Sequence, residues 1–185
     1  ENQGNPDRTG LKPNVTYTIG HSTHTIEVFI AILQSFDIKT IVDIRRFPDS
    51  RKFPQFDQHN LKIALEAVRI QYVSMLELGG RRKPNNDSKN TIWKNESFRG
   101  YADYMETAVF ATAIIKLEEI ALQQTTAYMC SEALWWRCHR SMVSDYLKVK
   151  GWNILHIMGI NKVQKHKYTA PARIVNGELL YAEQH

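Results

Sequence analysis

Short runs of β-branched and apolar residues alternate along this chain with longer stretches in which apolar residues recur every three or four positions. The first run, Val15–Ile19, ends at Gly20-His21-Ser22. Thr25 follows as a candidate N-cap, and Ile26, Phe29, Ile30 and Leu33 then fall at helical spacing. Thr40–Ile44 is β-branched and apolar on both faces, the pattern of a buried parallel strand. Pro48 and Pro54 exclude regular structure from Phe47–Phe56, which predicts a loop. Asp57 then serves as an N-cap for a helix running to about Val68. A third strand, Gln71–Met75, leads into the polar stretch Gly79–Lys94. This is the longest internal segment without a predicted element, and such loops usually carry function or motion.

Phe98 to Gln124 reads as one long helix or a broken pair. Thr126–Met129 is a fourth strand, Arg140–Lys150 a helix ended by Gly151, and Trp152–Ile157 a fifth strand. Asn176-Gly177 inside Ile174–Leu180 is a strong hairpin signal. Strands separated by helices of ten or more residues make βαβ units. The expected fold is therefore α/β: one three-layer domain over residues 14–185, with a mostly parallel sheet, helices on both faces and a C-terminal β-hairpin. Residues 1–13 are polar and turn-rich and read as a disordered lead-in.

Composition narrows the function. In 185 residues, 43% are hydrophobic and 23% charged, which is ordinary for a globular chain and ample for a core. The longest apolar run, Ala108–Ile115, is far below the roughly 18–20 residues of a membrane span, so no membrane partner is expected. The chain has no initiator Met and no signal-type segment, so the N-terminus reads as a processed boundary. Two cysteines, Cys130 and Cys138, suit a reducing cytoplasm better than a disulfide framework. The net charge of +5 and the pI near 9.2 are compatible with a polyanionic partner without demanding one.

In an open α/β sheet the site lies beyond the carboxyl ends of the strands. Those ends read Gly20-His21-Ser22, Asp43-Ile44-Arg45-Arg46, Leu78-Gly79-Gly80, Cys130-Ser131-Glu132 and His156. Asp43 and Glu132 are the candidate catalytic carboxylates, since glycosidic cleavage needs one group for proton transfer and one to stabilise developing positive charge. Asp43 beside Arg45 reads equally as a structural ion pair. His21, Ser22, Arg45, Arg46, Arg99, Tyr101 and Arg140 are candidates for holding phosphate or substrate. Cys130 and Cys138 are candidate thiols, because Cys138-His139-Arg140 opens a helix whose amides and cations would lower a thiol pKa. Tyr101 reads equally as core, because Tyr101 and Tyr104 share one helix face. Basic residues in the loops around Arg45–Lys52 and Arg81–Lys94 are interleaved with Phe47, Phe53, Phe56, Trp93 and Phe98. That mixture holds phosphates and stacks bases, or else anchors a solvated loop.

Other chemistries lack their signatures. No ligand spacing typical of zinc is present, although Cys130, Cys138, His139 and His21 are the metal-binding residue types, and no metal is expected. Cys138 and Arg140 are too close for the phosphatase spacing. The G-x-G-x-x-G, G-x-S-x-G and P-loop patterns are missing, so neither a cofactor nor ATP-driven chemistry is expected.

The ordered set YTIGHST, VDIRRFPDS, LGG, FRGYADYM, MCSEALWWRCHRSMVSDYL and GWNILHI runs from about Thr16 to Ile157. It resembles the domain of unknown function 488 family, most specifically in Cys130, Glu132, Cys138, His139 and Arg140. The resemblance implies a compact cytoplasmic α/β domain of bacterial or archaeal type, and little about activity. The favoured reading is an enzyme on nucleic acid or a nucleotide that hydrolyses a base–sugar glycosidic bond, a DNA glycosylase-like hydrolase. The alternatives are a non-catalytic phosphate or nucleic-acid binding module and a thiol enzyme centred on Cys138.

Overall fold

The computed structural model describes residues 14–183; the expected lead-in over residues 1–13 lies outside them. The chain runs β1 (Val15–Gly20), α1 (Ile26–Ser35), β2 (Thr40–Asp43), α2 (Gln58–Ala67), β3 (Gln71–Ser74), α3 (Glu96–Tyr104) and α4 (Ala108–Gln123). It continues through β4 (Thr126–Cys130), α5 (Arg140–Val149), β5 (Asn153–Gly159), β6 (Lys162–Lys165), β7 (Arg173–Val175) and β8 (Glu178–Leu180). Six strands form one sheet in the order β3-β2-β4-β1-β5-β6, and β7 and β8 form a separate hairpin. All pairings in the large sheet are parallel except β5 with β6. This is the α/β fold expected from the pattern.

Alternation along the buried strands divides two cores. Val42, Tyr128 and Ile154 face α3, α4 and α5, joining Tyr101, Phe110, Leu117 and Leu147. Ile41, Ala127, Met129 and Ile157 face α1 and α2, joining Phe29, Leu33, Leu61 and Leu65. Both faces of β2 and β4 are therefore dry, which is why apolar residues fall on both faces of each strand, with Thr40, Asp43 and Thr126 the buried polar exceptions at their ends.

Local chemistry sets the boundaries. The Thr25 side chain accepts from the Val28 amide and starts α1. Between Phe98 and Gln124 the helix is broken rather than continuous, because the Thr107 side chain caps the Phe110 amide and begins α4 anew. Gly151 closes α5 at φ +101°, and Asn176 and Gly177 take φ +51° and +79° at the β7–β8 turn, a geometry that favours these residues. The strand β6 is absent from the sequence pattern. All four of its residues are exposed, so no buried face marks it.

Candidate active site

The strand order itself makes a crevice. The connection after β1 crosses one face of the sheet by α1, while the connection after β4 crosses the other face by α5, yet β1 and β4 are neighbours. Adjacent strands whose connections diverge define the switch point where α/β sheets bind ligands. Beyond the sheet the two strand tails stay zipped: the His21 amide donates to Cys130 O at 2.9 Å and the Ser22 amide to Ser131 O at 3.0 Å. Gly20 permits this approach. A Cβ there would stand 1.8 Å from the Glu132 carbonyl oxygen.

A cavity of about 720 Å³ opens at this point. Its floor includes His21, Tyr101, Cys130 and Cys138, and its walls carry Glu132, Arg46, Lys52, Arg81 and Arg137. Of the residues expected from the sequence, His21, Ser22, Arg45, Arg46, Tyr101, Cys130, Cys138 and Glu132 line it together. Asp43, Arg99 and Arg140 do not.

At the end of β2 the polar groups are closed on one another. Asp43 is fully buried, and its carboxylate accepts from Arg45 Nε at 2.9 Å, from Arg45 Nη2 at 2.8 Å and from the Tyr72 hydroxyl. Arg45 Nη1 donates to the Phe56 carbonyl at 2.8 Å. Burial opposes the Arg45 charge, but the hydrogen bonds and charge of Asp43 outweigh it and hold its pKa above the ordinary value. Burial also raises Tyr72, reinforced by Asp43. Asp43 thus stands as the counter-ion of Arg45 and presents no oxygen to the cavity. Arg45 has committed three of its nitrogens, although its edge lines the wall.

His21 joins this closed group to the crevice. Its ring stacks on Phe56, with centroids 4.2 Å apart and planes 17° off parallel, and Nδ1 pairs with Ser22 O at 2.8 Å. Desolvation lowers its pKa to about 4, with Arg45 adding to the fall, so at neutral pH it is an uncharged ring.

The end of β4 is organised differently. Glu132 is exposed and lines the cavity, and one oxygen of its carboxylate accepts the Leu134 amide at 3.3 Å. Beneath it Cys130 and Cys138 are both free and buried, with their sulfurs 2.8 Å apart. Cys138 lies two residues before the start of α5 and accepts the Arg140 amide at 3.4 Å. Burial pushes the Cys138 thiol up, but the hydrogen bond it shares with Cys130 and the Arg140 charge and amide bring it below the ordinary value. Burial and Cys138 push Cys130 well above it.

Arg140 is fully buried, donating to Cys130 Sγ at 3.2 Å and to Ala133 O at 3.4 Å, while its Nε has no partner. It makes no ion pair with a carboxylate among the described residues. Tyr101 is also core: its hydroxyl donates to Leu78 O at 2.7 Å and only its ring edge reaches the cavity. Arg99 lies half-buried on α3, off the cavity wall.

The loop over 79–94 is anchored. Asp103 on α3 accepts from the Asn85 amide, the Ser88 hydroxyl and the Asn90 side-chain amide. Arg82 donates to Gly79 O and lies 3.9 Å from the centroid of Tyr104. This pinning holds Arg81 at the rim, where Arg81 and Arg46 flank the exposed ring of Phe47 at 5.7 and 5.4 Å.

Sequence reasoning missed a second polar group. Asp145 accepts from His166, whose other nitrogen pairs with His156 at 2.8 Å, and His156 pairs in turn with Thr18. Trp135 stacks on His156 at 4.4 Å, so this buried chain props the turn that carries Arg137 and Cys138. Desolvation, aided by His166 and Arg140, lowers His156 to about 2. No signal short of the fold joins α5, β1, β5 and the segment after β6 in this way. Among the described residues no group of three or more His, Cys, Asp or Glu side chains is placed to hold a metal ion. No described helix is long and apolar enough to cross a membrane.

Compared with known proteins, residues 25–147 of the 185 match the family model described as Domain of unknown function DUF488. The match spans α1 to α5, and so includes the ends of β2 and β4. Neither the search of curated proteins nor that of solved structures gave a match.

Proposed function

The chain belongs to the DUF488 family, and from the residues of its cleft we propose that it is an enzyme of nucleic acid or nucleotides that hydrolyses a base–sugar glycosidic bond. The observation that carries the reading is Phe47. An aromatic ring 59% exposed and flanked by two guanidinium groups, on the rim of a basic cavity, offers a stacking surface beside phosphate-binding charge. Arg46, Arg81, Lys52 and Arg137 hold the phosphates, and Phe47 stacks the base. Glu132 supplies the carboxylate at the reacting carbon. It takes a proton from water as the hydroxyl adds to the sugar, while the base leaves with its bonding pair and takes a proton from solvent, to which Glu132 afterwards returns its own. The same charge stabilises the oxocarbenium-like transition state. Asp43 is a positioning residue in this scheme, since it holds Arg45 against Phe56 and His21. The setting is the cytoplasm, supported by the two free cysteines.

The test pairs binding with product release. Fluorescence anisotropy with oligonucleotides and nucleotides measures affinity across salt concentrations, and chromatography of the free base measures turnover. Affinity that falls steeply with salt, together with base release lost in Glu132→Gln, is the expected result. Salt-dependent binding without any base release makes the cleft a binding module. Salt-insensitive binding, or release that survives Glu132→Gln, overturns the assigned roles.

A further inference from the structure

The glycosidic reading leaves the sulfur chemistry under Glu132 unused. A buried guanidinium ordinarily has an anion beside it, because taking an unpaired charge out of water is costly. Among the described residues the Arg140 guanidinium meets no carboxylate: it reaches the Cys130 sulfur and the Ala133 carbonyl, its Nε is unpartnered, and the Cys138 sulfur is bonded by the backbone amide of the same residue. The available negative group among its neighbours is a thiolate. Cys138 has the geometry for it: it lies ahead of the first turn of α5, it accepts the Arg140 amide, and it is a lining residue of the cavity. Cys130 stands beside it at 2.8 Å, well inside ordinary sulfur contact and less than an ångström from a bond of about 2.05 Å. One proton shared by two sulfurs, with the charge on the sulfur at the head of the helix and the proton on its neighbour, is the arrangement of an attacking and a resolving thiol.

We propose that Cys138 and Cys130 form a reactive dithiol, in which the Cys138 thiolate attacks a small disulfide entering the cleft and Cys130 resolves the adduct into an intramolecular disulfide. In the first step Cys138 Sγ bonds one sulfur of the incoming disulfide, and the other sulfur leaves as a thiolate with the bonding pair. In the second, Cys130 loses its proton and attacks Cys138 Sγ, expelling the second small thiolate. Two protein thiols are oxidised and one disulfide is reduced to two thiols. Arg140 holds the negative charge on sulfur before the first attack. This chemistry stands apart from Glu132 and from any glycosidic substrate.

The test uses the whole reduced protein with oxidised glutathione, followed by peptide mapping without reductant. The wild type is expected to lose both thiols and yield a Cys130–Cys138 cross-linked peptide. Cys130→Ser is expected to stop at a glutathione adduct on Cys138. In Cys138→Ser the remaining thiol is expected to react at least about tenfold more slowly than Cys138 does. A persistent adduct in the wild type, faster reaction at Cys130, or no thiol loss until denaturant is added would overturn the proposal. The wild-type peptide map decides between these outcomes even where a variant does not fold.

Discussion

Two buried arginines follow neighbouring strands, and they are treated in opposite ways. Arg45, after β2, is held by both oxygens of Asp43 and by the Phe56 carbonyl. Arg140, after β4, has sulfur where Arg45 has carboxylate, and one of its nitrogens is left over. The first end is a finished electrostatic structure. The second is incomplete unless a sulfur or a ligand carries negative charge. A charged residue at a strand end thus becomes a clamp or a site according to whether its partner is part of the chain.

The contrast breaks most visibly at Asp43. Asp43→Asn removes the anion and leaves Arg45 buried without one, so unfolding by urea should show a loss of about 3–5 kcal/mol.

Acid comes next, acting beside the clamp and behind the site. His21 titrates near 4 and His156 near 2 in the folded chain, against 6.5 when unfolded. The unfolded state therefore binds more protons below pH 6.5, and stability falls as pH drops from 6.5 towards 4. The slope approaches 1.4 kcal/mol per pH unit for each histidine. Denaturation midpoints measured across that interval check it, and a flat profile contradicts the buried neutral rings.

Arg140→Met separates the two ends. An apolar chain of similar length removes a costly buried charge, so stability should stay within about 1–2 kcal/mol of the wild type or rise. Alkylation of Cys138 by iodoacetamide should nevertheless slow about tenfold. A loss as large as that of Asp43→Asn would erase the distinction between the two arginines.

The smallest effect on stability belongs to the rim. Phe47→Ala should change unfolding by no more than about 0.5 kcal/mol, because the ring is exposed. Oligonucleotide affinity should nevertheless weaken by about 1–3 kcal/mol, read by anisotropy.

The layered sheet is legible in the sequence because β2 and β4 are dry on both faces and the helices between strands keep a clear period. The edge strand β6 is not, since Lys162–Lys165 buries nothing and its partner alone defines it. The convergence of His21, Cys130 and Glu132 follows from their places at strand ends. What separates Asp43 from Glu132 lies elsewhere: Tyr72 on β3 closes Asp43 and the Phe56 carbonyl fixes its Arg45 partner, and neither is marked in the sequence around it. Arg140 reads as a phosphate ligand for the same reason, since its local sequence does not disclose that it is buried beneath the cavity. The 79–94 loop reads as free because its anchor, Asp103, comes later on a helix.

The place of β1 bears on how the molecule is made. Although first in the described chain, β1 pairs only with β4 and β5, the strands that begin at Thr126 and Asn153. A polypeptide emerging from the ribosome holds this strand without a partner until β4 has been synthesised, so completion of the central sheet is a late event in biogenesis and the nascent stretch from β1 to α4 is the part that needs shelter.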